Sequence, residues 1–156
     1  SIVFPLVKDY NGQLRKEIGD GLLITFDTVT DAIRFSINFQ NISKIEKNLN
    51  IRIGIHEGEI SISGNDVFGD DVNITSRIEQ YSPIGGIVIS NKVQQDISSL
   101  FEFSTIPIGI PKLKGVQQKI ELFCISSHGL PINSSIKSLD KKNSFSSKLL
   151  ILIIQT

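Results

Sequence analysis

The amino-acid sequence predicts an α+β sandwich, a mixed sheet carrying helices on one face. Two periodicities lead there: apolar residues at i, i+4 and i+7 mark helices, and short runs alternating every second residue mark strands. The third observation is their order. Helices and strands follow one another with hairpins between, which suits a sheet covered by a helical layer. With 156 residues, 40% hydrophobic and 21% charged, the chain has room for one domain with a sizeable core.

Residues 2–10 read as a helix that Asn11-Gly12 closes, since both tolerate the left-handed position after a helix end. Gln13–Ile18 and Leu22–Phe26 alternate as two strands joined at Gly19-Asp20-Gly21, a tight hairpin. Thr28, with Asp31 three residues on, caps a helix over 28–47. Its core face is Val29, Ile33 and Ile37, with Phe35, Phe39 and Ile42. Leu49, Ile51, Ile53 and Ile55 alternate with Asn50, Arg52 and Gly54, so one face of this strand is buried and the other presented. Glu57-Gly58 then turns the chain, and Ile60-Ser61-Ile62 returns as the paired strand of a second hairpin.

After the Gly69 break the pattern turns helical over 70–82, with Asp70 or Asp71 as N-cap and Ile74, Ile78 and Tyr81 as the buried stripe. Asn73, Arg77 and Gln80 repeat that spacing one residue round, so Asn73 and Arg77 stand one turn apart on a common polar face. An amide and a guanidinium stacked beside an acidic loop are suited to orienting a sugar and holding phosphate charge. Ile87–Ile89 is short and wholly apolar, a fully buried strand. Ser90 begins another helix with Val93, Ile97 and Leu100 inward, and strand-like stretches near 101–108 and 119–125 close the domain.

Lysine plus arginine and aspartate plus glutamate balance at 16 each, so no general field favours nucleic acid or an acidic membrane. An anion bound here is held by a few placed side chains. The single cysteine, Cys124, excludes an internal disulfide and a cysteine metal cage, and its apolar strand makes it a small core residue. His56 and His128 have no ligand-like neighbours at metal spacing, which argues against a zinc site.

The run Asp66-Val-Phe-Gly-Asp-Asp-Val-Asn-Ile-Thr-Ser-Arg77 resembles the catalytic domain of the class III nucleotidyl cyclases, which make cyclic AMP or cyclic GMP. Three further blocks carry the same resemblance in the family's order: Lys16-Glu-Ile-Gly-Asp-Gly21, Ile51-Arg-Ile-Gly-Ile-His-Glu-Gly58, and Leu113-Lys-Gly115 with the strand Ile120–Ile125. Together they cover roughly residues 5–126. A Gly-Asp-Gly alone fits any hairpin; four blocks in order do not arise so easily. The resemblance implies a ferredoxin-like (palm-type) βαββαβ core with a mixed, mostly antiparallel sheet.

It also implies a reaction and a site. The ribose 3′-oxygen of ATP attacks the α-phosphorus and expels pyrophosphate, at a two-metal centre holding Mg2+ or Mn2+. Asp20 matches one of the family's two metal aspartates, although alone it reads as a turn residue. The second lies in the family on an earlier strand, for which no block precedes Lys16. Lys16 and Asp66 match the purine readers in their adenine-selecting form; guanylyl members usually carry Glu and a small residue there. Asn73 matches the ribose-orienting amide and Arg77 the transition-state arginine, while Arg52 and Lys114 match triphosphate contacts. Val116-Gln-Gln118 departs from the glycine-rich half of the last block, which weakens that phosphate role. In the family Asp20 and Arg52 act from one subunit and the others from its partner, so a head-to-tail homodimer with interfacial sites is expected.

The resulting expectation is an adenylate cyclase in intracellular signalling. A guanylate cyclase, and a non-catalytic nucleotide-sensing or dimerisation module, are the alternatives; a diguanylate cyclase lacks its Gly-Gly-Asp/Glu-Glu-Phe loop here. The expected divisions are 1–126 for the catalytic domain without its first strand, 127–148 for a Ser/Asn/Lys/Pro linker, and 149–156 for an apolar tail. There is no secretory signal, no methionine, and an opening that looks like mid-element sequence, so the chain reads as a fragment of a cytoplasmic domain. The tail Leu149–Ile154 is too short to span a bilayer, which needs about 20 residues. It reads as the opening of a membrane helix with Lys141, Lys142 and Lys148 on the cytoplasmic side, or as a stray tail or short strand.

Overall fold

The computed structural model describes residues 3–45, 50–64, 66–138 and 147–154. Its framework is a seven-stranded mixed sheet in the order β1-β2-β9-β3-β6-β8-β7, with a separate pair, β4-β5. The strands are β1 Gln13–Ile18, β2 Gly21–Phe26, β3 Ile51–Gly58, β4 Ser61–Ser63, β5 Asp66–Phe68, β6 Ile87–Ser90, β7 Thr105–Gly109, β8 Leu122–Ile125 and β9 Ser147–Ile154. The helices are α1 Val3–Asp9, α2 Val29–Ile45, α3 Asp70–Glu79 and α4 Asn91–Ile97. The α+β class and mixed sheet are as expected. In the large sheet β2–β9, β9–β3 and β3–β6 run parallel, while β1–β2, β6–β8 and β8–β7 are antiparallel.

Several local signals act as their chemistry suggests. Asn11 takes a left-handed φ of 61°, and the Gly12 N–H returns to the Val7 carbonyl, which ends α1. The Thr28 hydroxyl accepts the Asp31 N–H at 3.2 Å and starts α2. The β1–β2 hairpin turns on Gly19 and Asp20, with Ile18 opposite Gly21 and Gly19 at φ 57°.

The two faces of the sheet carry different helices. Ile53, Ile55, Ile87 and Ile89 point into one cluster with Phe35 and Phe39 of α2 and Val93 and Ile97 of α4. Val88, Leu122 and Cys124, from the opposite face, pack with Ile74 and Ile78 of α3. The single helical layer of the expectation therefore holds for α2 and α4, and α3 occupies the other side. The reason lies in β3. Its residues 52, 54, 56 and 58 face α3, and two of them are glycines. A Cβ on Gly54 would stand 2.7 Å from the Glu79 Cα, and one on Gly58 would enter the Asp71 carboxylate. The glycines make a track on which a helix backbone can lie.

Three expectations are corrected. Ile60–Ile62 does not return against β3, because both edges of β3 are taken by β6 and β9; β4 pairs with β5 instead. The α3 N-cap is Gly69, with no side-chain cap from Asp70 or Asp71, and Gly69 O accepts the Val72 and Asn73 N–H groups. Leu100 falls after α4 and is exposed. Residues 149–154 of the apolar tail, with 147–148 of the expected linker, form a strand laid between β2 and β3, so the short strand is the form the tail takes here. Among the described residues no helix is long and apolar enough to cross a membrane. Residues 127–138 of the expected linker lie against the domain: Leu130 is buried and the Asn133 amide donates to the Tyr81 carbonyl. Lys141, Lys142 and residues 155–156 lie outside the described residues.

The glycine track is testable. Gly54→Ala should destabilise the fold by about 1–3 kcal/mol, because the added carbon meets helix backbone, which cannot swing aside. Denaturant midpoints should show this loss, whereas an exposed change such as Lys112→Ala stays within about 0.5 kcal/mol.

Candidate active site

Helix α3 divides the work of its own surface. Ile74 and Ile78 are buried against β6 and β8, while Asn73 is exposed and Arg77 partly so. Asn73 and Arg77 line a cleft of about 630 Å³ whose opposite wall is the loop Lys114–Gln118. That loop is held by the buried side chains of Leu113 and Ile120. At its tip the Leu113 carbonyl accepts the Val116 N–H at 3.1 Å, with Gly115 at φ 76°. A turn of this kind needs positive φ at its second central residue, which accounts for the glycine beside Lys114. Arg77 and Lys114 are cationic and Asp70 is the acid at the rim, so the cleft suits an anionic ligand that also presents hydroxyls. Gln117 and Gln118 complete the wall, a role that nothing in their local pattern announced.

Lys16 and Asp66, 50 residues apart, form an ion pair at 2.7 Å. A β-bulge brings them together. Simple alternation puts Leu14, Lys16 and Ile18 on one face of β1. The pairing shifts between Leu14, opposite Ile24, and Lys16, opposite Leu23, so Arg15 is the extra residue. Leu14 consequently packs on the α2 side with Ile24, whereas Ile18 packs with Leu23, Val67 and Val72 on the α3 side. Lys16 emerges on that second side, where β5 carries Asp66. The Lys16 ammonium, and secondarily the Val67 N–H, holds the Asp66 carboxyl below the ordinary carboxylate range.

Asp20 sits exposed at the β1–β2 turn, and Arg52 is half-buried on the α3-facing side of β3. Neither lines the Arg77 cleft. The chain thus gathers Asn73, Arg77 and Lys114 in one place and Lys16 with Asp66 in another, with Asp20 and Arg52 apart from both. A divalent cation is accommodated only in part: Asp20 offers one hard oxygen donor, and among the described residues no three His, Cys, Asp or Glu side chains come together.

Sequence reasoning passed over the partners of His56. This residue, 2% exposed, lies between Gly54 and Gly58 beneath α3. Its Nε2 is 3.1 Å from Asp71 Oδ1 and its Nδ1 2.9 Å from Ser90 Oγ. The other Asp71 oxygen accepts the Glu59 N–H at 2.9 Å. Asp71 was expected as an N-cap and turns instead to this histidine, while Ser90 begins α4 as expected with its hydroxyl on the same ring. Burial lowers the His56 pKa, against the pull of Asp71, so the ring is neutral near pH 7. The two glycines flanking a histidine on one strand face were the available signal.

A family model described as the adenylate and guanylate cyclase catalytic domain matches residues 17–127, and the chain belongs to that family. It is 24% identical over 129 residues to a Rhizobium meliloti (strain 1021) protein named "Putative adenylate cyclase 3", covering 78% of this chain and 22% of that protein. It is also 24% identical over 130 residues to the serine/threonine-protein kinase pkn2 of Myxococcus xanthus, covering 78% of this chain and 15% of that one. The chain thus spans about a fifth or less of these relatives. In fold it is similar to an adenylate/guanylate cyclase/hydrolase from Silicibacter pomeroyi, with TM-score 0.66, 24% identity, and 80% and 78% of the two chains covered. It is likewise similar to the guanylate cyclase domain of RhGC from Catenaria anguillulae in complex with GTP, with TM-score 0.58, 19% identity, and 80% and 78% covered.

The ion pair yields a prediction about charge. Replacing Lys16 with Met should return the Asp66 pKa upward, as read by carboxyl carbon NMR titration, because the ammonium that chiefly stabilises the carboxylate is gone. In the unaltered chain the pair contributes above the unfolded-state carboxylate pKa and fades as pH falls through the depressed folded value. An unchanged Asp66 titration in the variant would contradict the pairing.

Proposed function

We propose that the chain is the catalytic domain of an adenylate cyclase, converting ATP to 3′,5′-cyclic AMP and pyrophosphate. The observation that carries the base choice is the Lys16–Asp66 pair at 2.7 Å, a donor and an acceptor side by side on one surface. Adenine presents an acceptor at N1 and a donor at its 6-amino group, and the two side chains complement that edge. Guanine presents the reverse, a donor at N1 and an acceptor at O6, and would leave both side chains facing like partners. Discrimination of this type is strong because the wrong base leaves polar groups unpaired in the complex.

The other residues take roles that follow from their chemistry. Lys114 and Arg52 hold the triphosphate. The Asn73 amide orients the ribose so that its 3′-hydroxyl faces the α-phosphorus. The Arg77 guanidinium stabilises the charge that gathers on the α-phosphate and the leaving oxygen as the bond to pyrophosphate breaks. Such placement of charge and reactants is the main demand of phosphoryl chemistry. Mg2+ or Mn2+, with Asp20 as one ligand, would supply neutralisation of the phosphates and acidification of the attacking hydroxyl. Because Asp20 and Arg52 lie away from the cleft that holds Arg77, a complete site is proposed between two copies arranged head to tail.

The test is nucleotide choice by the full chain. ATP should be cyclised well and GTP much more slowly, and Lys16→Glu with Asp66→Cys should erode or reverse the preference. A protein that makes cyclic GMP faster than cyclic AMP at equal nucleotide would refute the adenine assignment.

A further inference from the structure

Asn73 and Arg77 reach the cleft only if α3 has the right rotation about its axis. A helix advances 100° per residue, so a roll by a fraction of that angle already turns a side chain away from the cleft. Apolar packing of Ile74 and Ile78 resists that roll without choosing one angle sharply, since dispersion contacts are individually weak and non-directional. A directional contact close to the start of the helix would choose it.

We propose that Asp71 is a positioning residue: held by His56 Nε2 and the Glu59 N–H, it fixes α3 on β3 so that Asn73 and Arg77 enter the cleft. Three observations carry this. The Asp71 carboxylate uses both oxygens on partners outside its own helix, at 3.1 Å and 2.9 Å. The histidine that holds it is itself fixed, buried beneath α3, with Ser90 Oγ at 2.9 Å from its other nitrogen. And the space for the carboxylate exists because residue 58 is glycine.

The protons balance simply. The ionised carboxylate can only accept, so Nε2 carries the hydrogen, and Nδ1 of the neutral ring then accepts from the Ser90 hydroxyl. One imidazole thereby joins β3, the end of β6 and the first turn of α3. Asp71 is two residues before Asn73 and six before Arg77, close enough for its anchor to set the azimuth of both.

The inference rests on the cyclase reading for its kinetic consequence and on geometry alone for its structural one, and the experiment separates them. Asp71→Ala and His56→Leu should each lower kcat for ATP about tenfold to a hundredfold, the scale of a small misplacement of reacting groups, with KM changing less than about threefold. His56→Gln, whose amide nitrogen can still donate to Asp71, should recover most of that loss. In a double-mutant cycle the combined variant should be no worse than either single change, since one contact is removed each time. Independently of activity, the Arg77 Nε–H and Asn73 side-chain amide NMR signals should shift in Asp71→Ala, and the amides of residues 72–76 should exchange about tenfold faster while those of β6 stay as they were. Unmoved Asn73 and Arg77 signals, or additive losses in the cycle, would overturn the positioning role. Shifted signals in a protein that forms no cyclic nucleotide would leave that role standing and refute the cyclase reading instead.

Discussion

The close approach of α3 to β3 is the constraint on which the site depends. A helix lies flat on a strand only where side chains do not hold it off. On β3 the α3-facing positions 54 and 58 are glycines, and the one bulky residue between them, His56, is a hydrogen-bond post rather than an apolar spacer. The opposite face of the same strand, Ile51, Ile53 and Ile55, is packed into the large core with α2 and α4. One strand therefore presents two different surfaces, an aliphatic one for stability and a glycine-lined one for placement. The alternation of a pleated strand is what makes this division available.

The same economy appears in the charges. The formal charges sum to zero, so attraction of an anionic ligand cannot come from the molecule as a whole. In the proposed site it comes from Arg77 and Lys114 across a cleft, one on helix α3 and the other at a turn anchored by Leu113 and Ile120. Arginine and lysine suit different parts of that task. The planar guanidinium offers a directional fork, whereas the ammonium acts as a point charge at the end of a mobile stem. Lys16 and Asp66 add a separate polar edge, brought to the α3 side by the extra residue in β1.

Much of this was legible in the residues. The i, i+4 spacing of Ile74 and Ile78 against Asn73 and Arg77 placed two surfaces on α3 because helical geometry leaves little choice. The caps at Thr28 and Asn11 and the turn at Gly19-Asp20 are equally local, and they formed as read. What escaped was decided by distant partners. Asp71 looks like a helix cap until His56, brought over by strand pairing, competes for its oxygen. Ile60–Ile62 looks like a returning strand until β6 and β9 occupy both edges of β3. The β1 bulge has no composition of its own, and only the pairing with β2 shows Leu14 and Lys16 on different faces. Local chemistry wins wherever no remote group offers a better bond.

The central claim is that Arg77 works at a catalytic centre completed by Asp20 of a second copy, and mixing two inactive variants tests it most directly. Arg77→Ala and Asp20→Ala proteins should each lose about 10²–10³ in turnover with nucleotide, the cost of removing one placed charge-stabilising group. Mixed in equal amounts and allowed to exchange subunits, they should recover about a quarter of wild-type activity, since half of the pairs then hold one intact site out of two. Recovery near that level supports the shared-site account. An inactive mixture in which heterodimers are shown to have formed would contradict it.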